Sequence, residues 1–111
     1  MSIEVFRKDS NFVRVGEIQD SGTVINNSGA ICGRIRQDGL LVGQNGNFLG
    51  RVHHNGAITT SISELSIITI DGTGNIYMGY KVIGRLKLDW SSPIPRERAV
   101  YAAWTLLNSL N

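Results

Sequence analysis

The chain is poor in the residues that usually announce a chemistry. A single cysteine, Cys32, leaves no internal disulfide to form and rules out a zinc site built on several thiolates. Only two prolines occur, Pro93 and Pro95, so no residue upstream of them lacks a backbone N–H. Aromatic residues are 7% of the chain, which supplies few platforms for stacking nucleobases. No apolar run approaches the ~20 residues needed to cross a bilayer as a helix, so no membrane association is expected. The opening MSIEVFRKDSNFVRV contains no apolar core of a secretory signal. With the lone thiol, this points to a reducing, cytoplasmic setting.

Excess charge of one sign is also missing. Eleven Lys and Arg face nine Asp and Glu, a net charge of +2, so bulk charge alone does not favour a polyanionic partner. His53-His54 is a poor chelating pair, because adjacent residues of an extended strand point opposite ways. Gly72-Thr73-Gly74 lacks the lysine and the strand-to-helix setting of a phosphate loop. No Ser-His-Asp grouping or close carboxylate pair stands out, and Asp20, Asp38 and Asp71 sit where turns favour aspartate. The expectation is a protein that is not an enzyme and needs neither cofactor nor metal.

What the chain has in plenty is glycine, thirteen residues in 111, and the glycines are periodic. Gly16, Gly33, Gly50 and Gly84 share a step of seventeen, broken only at Ile67. Two places after each stand Ile18, Ile35, Val52, Thr69 and Leu86; two places before stand Arg14, Ile31, Phe48, Leu65 and Val82. A second ladder runs through Gly22, Gly39 and Gly56, then reaches Gly72 or Gly74. A third joins Gly29 and Gly46, with Ser63 at the next step. Coincident ladders at one spacing mark an internal repeat.

Each unit reads turn, strand, turn, strand. Asp38-Gly39, Asn45-Gly46 and Asn55-Gly56 are strong hairpin signals, and Ser21-Gly22 and Ser28-Gly29 fill equivalent places. Strict alternation would set Phe48, Gly50 and Val52 on one strand face and Leu49 and Arg51 on the other, with Ile31, Gly33 and Ile35 in the same phase. A glycine between two apolar neighbours on a core face implies a backbone approached too closely for a side chain. Residues 62–70 (ISELSIITI) form a degenerate unit without glycine. After Leu88 the pattern ends: residues 89–95 read as a linker, and 96–110 as a helix with an apolar stripe at Val100, Ala103, Trp104, Leu107 and Leu110. That helix either caps its own core or meets another chain.

Residues 28–35, 45–52, 74–77 and 82–86 carry a resemblance to short bacterial glycine-rich β-hairpin repeat proteins of unknown function, including those described as a beta-flower. The resemblance spans about residues 12–88 and implies hairpins radiating about a central axis. The expected fold is therefore all-β: a single domain over 1–111, with an antiparallel hairpin-repeat flower or meander over 12–88 and one C-terminal α-helix. A parallel β-solenoid of similar period is the alternative.

Arg34, Arg51 and Arg85 occupy one repeat position, with Glu17 and Ile68 at the remaining two. Aligned guanidiniums would bind phosphate or carboxylate groups of an acidic ligand or nucleic acid through their planar forks. Equally, each arginine could solvate an outer strand face or pair with a local acid. Cys32 reads as a small hydrophobe. Trp90, Trp104 and Leu107 are candidates for a protein interface, or for packing between linker, helix and sheet. The leading functional expectation is a non-enzymatic structural or interaction module that self-associates. Binding of an acidic ligand or nucleic acid through the arginines is the alternative.

Overall fold

Short β-branched segments cut by glycine turns reach their sequence neighbours most readily, and all but one of the pairings here are of that kind. The structure is a computed structural model that describes residues 2–53, 58–60, 67–87 and 94–108. Among the described residues, ten strands run β1 (Ile3–Lys8), β2 (Phe12–Ile18), β3 (Thr23–Asn26), β4 (Ile31–Ile35), β5 (Leu40–Gly43), β6 (Phe48–Val52), β7 (Ile58–Thr60), β8 (Ile68–Ile70), β9 (Asn75–Met78) and β10 (Lys81–Leu86). One helix, α1 (Arg96–Asn108), follows. The strands form a single sheet in the order β7-β6-β5-β4-β3-β2-β1-β10-β9-β8. Every pairing is antiparallel, which excludes the solenoid. The pairing between distant parts of the chain is β1 with β10, through Val5 opposite Leu86 and Arg7 opposite Gly84. The sheet thus extends to residue 3, beyond the N-terminal boundary of 12 read from the repeat.

Laid flat, ten strands would measure roughly 43 Å across at the usual spacing. The longest dimension of the molecule is 33 Å, so the sheet curls into a half-barrel. Its concave side holds α1, which packs on β1 through β6, β8 and β10. Ala99 through Leu106 are all buried, so the helix is enclosed on every side rather than along the one stripe expected from sequence. It serves its own core. Tyr101 Oη donates to the Ile68 carbonyl oxygen at 3.1 Å, and burial pushes the phenol's pKa up. Thr105, polar and buried, donates to the Ala102 carbonyl oxygen at 2.7 Å.

The turn ladder has one conformation. At Gly39 the amide donates to the Arg36 carbonyl, Arg36 N–H donates to Leu40, and Gly39 takes φ of +86°. Its own carbonyl then accepts from Val52 N–H at 2.9 Å, stitching the turn to a strand outside the hairpin. An added Cβ at Gly39 would collide with the Val52 carbonyl oxygen. Gly22 and Gly74 repeat this bond to Ile35 and Leu86, which identifies Gly74 rather than Gly72 as the ladder's member; Gly56 lies outside the described residues. Among the described residues only glycines have positive φ, so Asp38 and Asn45 do not share that role in their turns.

The strand ladder has a different cause. A Cβ on Gly33 would lie 3.1 Å from Thr105 Cγ2; on Gly16, 2.9 Å from Leu106 Cδ2; on Gly84, 2.9 Å from Leu107 Cδ2. Three consecutive helical residues, each turned about 100° from the last, meet three glycines on β4, β2 and β10. Nearer still to each added carbon is a carbonyl oxygen of an adjacent strand, of Val42, Ile25 and Phe6 respectively, so these glycines mark places crowded by strand backbone and helix together.

Strict alternation fails at the residue before each of these glycines and before Gly50. Val15, Cys32, Leu49 and Ile83 are each the extra residue of a β-bulge, flanked by pairs such as Leu41 with Gly50 and Val42 with Phe48. The bulge shifts the phase, so Leu49 is 8% exposed and Phe48 is 44% exposed, the reverse of the expected faces. Ile31, expected on the core face with Gly33, is 57% exposed for the same reason, while Cys32 packs on the core.

Adding a methyl group at Gly33 forces the helix or the Val42 carbonyl, 2.7 Å from the new carbon, to move. Gly33→Ala is expected to lose about 1–3 kcal/mol of stability in urea unfolding. Gly72→Ala, where nothing lies within 4 Å and φ is not positive, is expected to be neutral or to gain up to about 1 kcal/mol. Equal losses at both positions would contradict the crowding seen at Gly33.

Candidate functional site

The three repeat-position arginines lie on the convex face of the sheet, opposite the helix. Their strands separate them: Arg34 on β4 and Arg51 on β6 are two strand steps apart, roughly 10 Å. Arg85 on β10 is four steps from Arg34, roughly 19 Å, with Glu17 on β2 between them. Local partners take up two of the three. Arg51 Nη1 donates to the Asp38 carbonyl at 3.2 Å and pairs with Asp38 Oδ2 at 3.6 Å. Arg85 Nε donates to Asn75 Oδ1 at 2.9 Å, and its guanidinium carbon sits 4.0 Å from the centre of the Phe12 ring. The Arg34 side chain is exposed and makes no hydrogen bond or ion pair with a described residue. The repeat aligns these side chains by position and the curled sheet disperses them in space.

A fourth arginine on the same face, Arg14, joins Glu4 at 3.2 Å, Glu17 at 3.3 Å and Asn27 Oδ1 at 2.6 Å. Lys87 adds a contact of 3.4 Å to Glu4. Lys87 and then Arg14 hold the Glu4 carboxyl below its usual pKa.

Of the candidate interface residues, Trp104 is 5% exposed and belongs to the core, which gives it a packing role within this chain. Leu107 is half-buried beside it. Trp90 lies outside the described residues. Trp104, Leu107, Met78 and Ile83 line a crevice of about 80 Å³, and Trp104 Nε1 is buried without a hydrogen-bond partner among the described residues. His53 Nε2 lies 3.0 Å from Thr59 Oγ1 across the β6–β7 hairpin; His54 is outside the described residues.

The exposed apolar side chains were hidden from sequence reasoning by the bulges. On the convex face, Ile25 pairs with Ile31 and Val42 with Phe48, and Arg34 stands opposite Val42. These residues occupy neighbouring strands β3 to β6 as a mixed patch of aliphatic, aromatic and guanidinium groups. Its only sequence signal is the seventeen-residue recurrence of Ile31 and Phe48 two places before a glycine.

The turn aspartates have a different job. Asp71 Oδ1 accepts from Thr73 Oγ1 at 2.6 Å, Thr73 N–H at 2.9 Å and Asn75 N–H at 3.0 Å, and Oδ2 accepts from Tyr77 Oη at 3.0 Å. These bonds, the Thr73 hydroxyl first, bring the carboxyl's pKa down from 3.8 to about 2. Leu40 N–H, aided by Arg36 and Arg51, lowers Asp38. Asn26 repeats the arrangement without charge, its Oδ1 accepting from Ser28 N–H, Ser28 Oγ and Ala30 N–H.

Comparison of the chain with protein-family models, with curated proteins and with solved structures returns no match. Among the described residues, no helix is long and apolar enough to cross a membrane, and no three His, Cys, Asp or Glu side chains group as metal ligands.

Because Asp71 binds its proton less readily folded than unfolded, its bonds stabilise the fold fully above about pH 4, and that contribution disappears as pH falls through about 2. Asp71→Asn keeps the Oδ1 acceptor for Thr73 and Asn75, loses the charge and the Oδ2 acceptor for Tyr77, and is expected to flatten the fall in Tm between pH 4 and 2, measured by circular dichroism. An acid limb as steep as that of the unaltered protein would contradict this assignment.

Proposed function

We propose that the chain is a non-enzymatic interaction module that associates with a second copy of itself through the convex face of β3 to β6. The observation that carries this reading is the exposure of Ile31 and Phe48 beside Ile25 and Val42. Aromatic and arginine side chains set among aliphatic ones are the usual composition of a protein interface.

The patch's own layout supports a second copy as the partner. Its flanking charges are already paired within the chain, Glu4 and Glu17 with Arg14 and Lys87, and Arg51 with Asp38, so the surface around Ile31 and Phe48 carries little net charge to repel its own copy. A two-fold axis through the apolar centre lays these side chains on their own counterparts, as an isologous interface requires. The non-enzymatic part of the reading draws on the carboxylates: Glu4, Asp38 and Asp71 are all held low, the wrong direction for a general acid or base near neutral pH. Kinship with beta-flower proteins, as the hairpin repeats suggest, would suit a scaffold role.

Light scattering across a dilution series tests the proposal. The expected mass rises toward twice 12.1 kDa at high concentration. Phe48→Glu is expected to weaken association roughly tenfold or more without lowering Tm, because the side chain is already partly in water. A mass of 12.1 kDa at every concentration would sink the reading.

A further inference from the structure

The open end of the half-barrel where α1 begins holds a second feature, away from the convex patch. The turns after β2 and β4 stand side by side there, tied by Ile35 N–H donating to the Gly22 carbonyl at 2.8 Å. The first turn of α1 grips the turn after β4 and, separately, the turn after β8: Arg98 Nη1 donates to the Gln37 carbonyl, and Arg96 Nη2 to the Asp71 carbonyl. Between the two turns and the start of the helix lies a cavity of about 130 Å³, whose walls include Asp20, Ser21, Arg36, Gln37, Pro95 and Arg98.

Two arginines therefore border one concave space, Arg98 at the helix start and Arg36 at the rim, in contrast to the scattered convex arginines. Each is incompletely used. Arg98 commits one N–H to Gln37, out of the five that a guanidinium carries. Arg36 is more than half exposed, and its Nε lies 3.7 Å from Asp38 Oδ1, too far for a hydrogen bond. Asp38 is shared with Arg51, so it does not neutralise Arg36 alone. Asp20 is the carboxylate on the cavity wall, one negative group against two positive ones.

We propose that this cavity binds a small oxyanion, a phosphoryl or carboxyl group, between the forks of Arg36 and Arg98. Planar guanidiniums match the oxygens of either group in paired hydrogen bonds, and the confined space favours a compact head group over a polymer backbone. Arg98 is held in place by Gln37, and Arg36, more than half exposed beside Asp38, reaches in from the rim when the anion binds. The binding is independent of self-association, because the cavity and the patch around Phe48 occupy different parts of the fold.

The test is a titration of the full chain, followed by amide and arginine Nε–Hε resonances, with inorganic phosphate and separately with acetate, at ionic strength matched by sodium chloride. Saturating shifts confined to Gly22, Gln37, Arg36 and Arg98 are expected with at least one anion; which one saturates identifies phosphoryl or carboxyl as the preferred group. Arg36→Gln is expected to weaken binding roughly tenfold or more, because it removes a charged donor pair. Lys81→Gln, exposed at the start of β10 and outside both the cavity and the convex patch, is expected to titrate like the unaltered protein. Arg98→Lys keeps the cation and a donor for Gln37 and is expected to weaken binding several-fold. The proposal is overturned if neither anion saturates, or if Arg36→Gln binds as tightly as the unaltered chain.

Discussion

A helix enclosed by a sheet needs strands that come close to its backbone, and that requirement runs through this molecule. Along α1, alanines at 99, 102 and 103 keep the helix narrow. Facing it, Gly16, Gly33 and Gly84 keep the strands bare where Leu106, Thr105 and Leu107 press against them. With small residues on both sides, a sheet made from only 111 residues can wrap a helix and bury Ala99 through Leu106 completely. A bulky group at any of these contacts would push helix and sheet apart.

The bulges follow from the same geometry. A glycine facing the helix contributes no apolar surface of its own, and the strand recovers it by turning the preceding residue inward. Val15 and Leu49 are buried in this way, with Cys32 and Ile83 packed more loosely. Each bulge also adds local twist, and repeated along the sheet it helps the strands curl. The consequence on the convex side is that Ile31 and Phe48 face water. Core construction and the proposed interface thus share one origin, and an arginine row that is regular in sequence becomes a scattered set around a curved surface.

Much of the architecture was legible because hairpins are local. The turn glycines, the strand lengths, the antiparallel meander and the helix beginning at Arg96 all follow from periodicity and turn chemistry. β1 was missed because it lies outside the repeat, although Ile3 and Val5 alternate with polar neighbours and are both buried. The face assignment of Phe48 and Ile31 was inverted because alternation assumes an unbroken pleat. The candidate site was less legible still: Arg36 and Arg98 are sixty-two positions apart in the chain and share no motif.

By itself, the sequence determined the repeat, its turns and the pairing of successive strands, because these depend on φ preferences and on contacts a few residues apart. Only the tertiary structure decided what the recurring strand glycines are for, where β1 joins β10 and which side chains share a space. Those outcomes arise when a helix from one end of the chain is enclosed by strands drawn from nearly all of it. Contacts of that range leave no periodic trace beyond the small residues that make room for them.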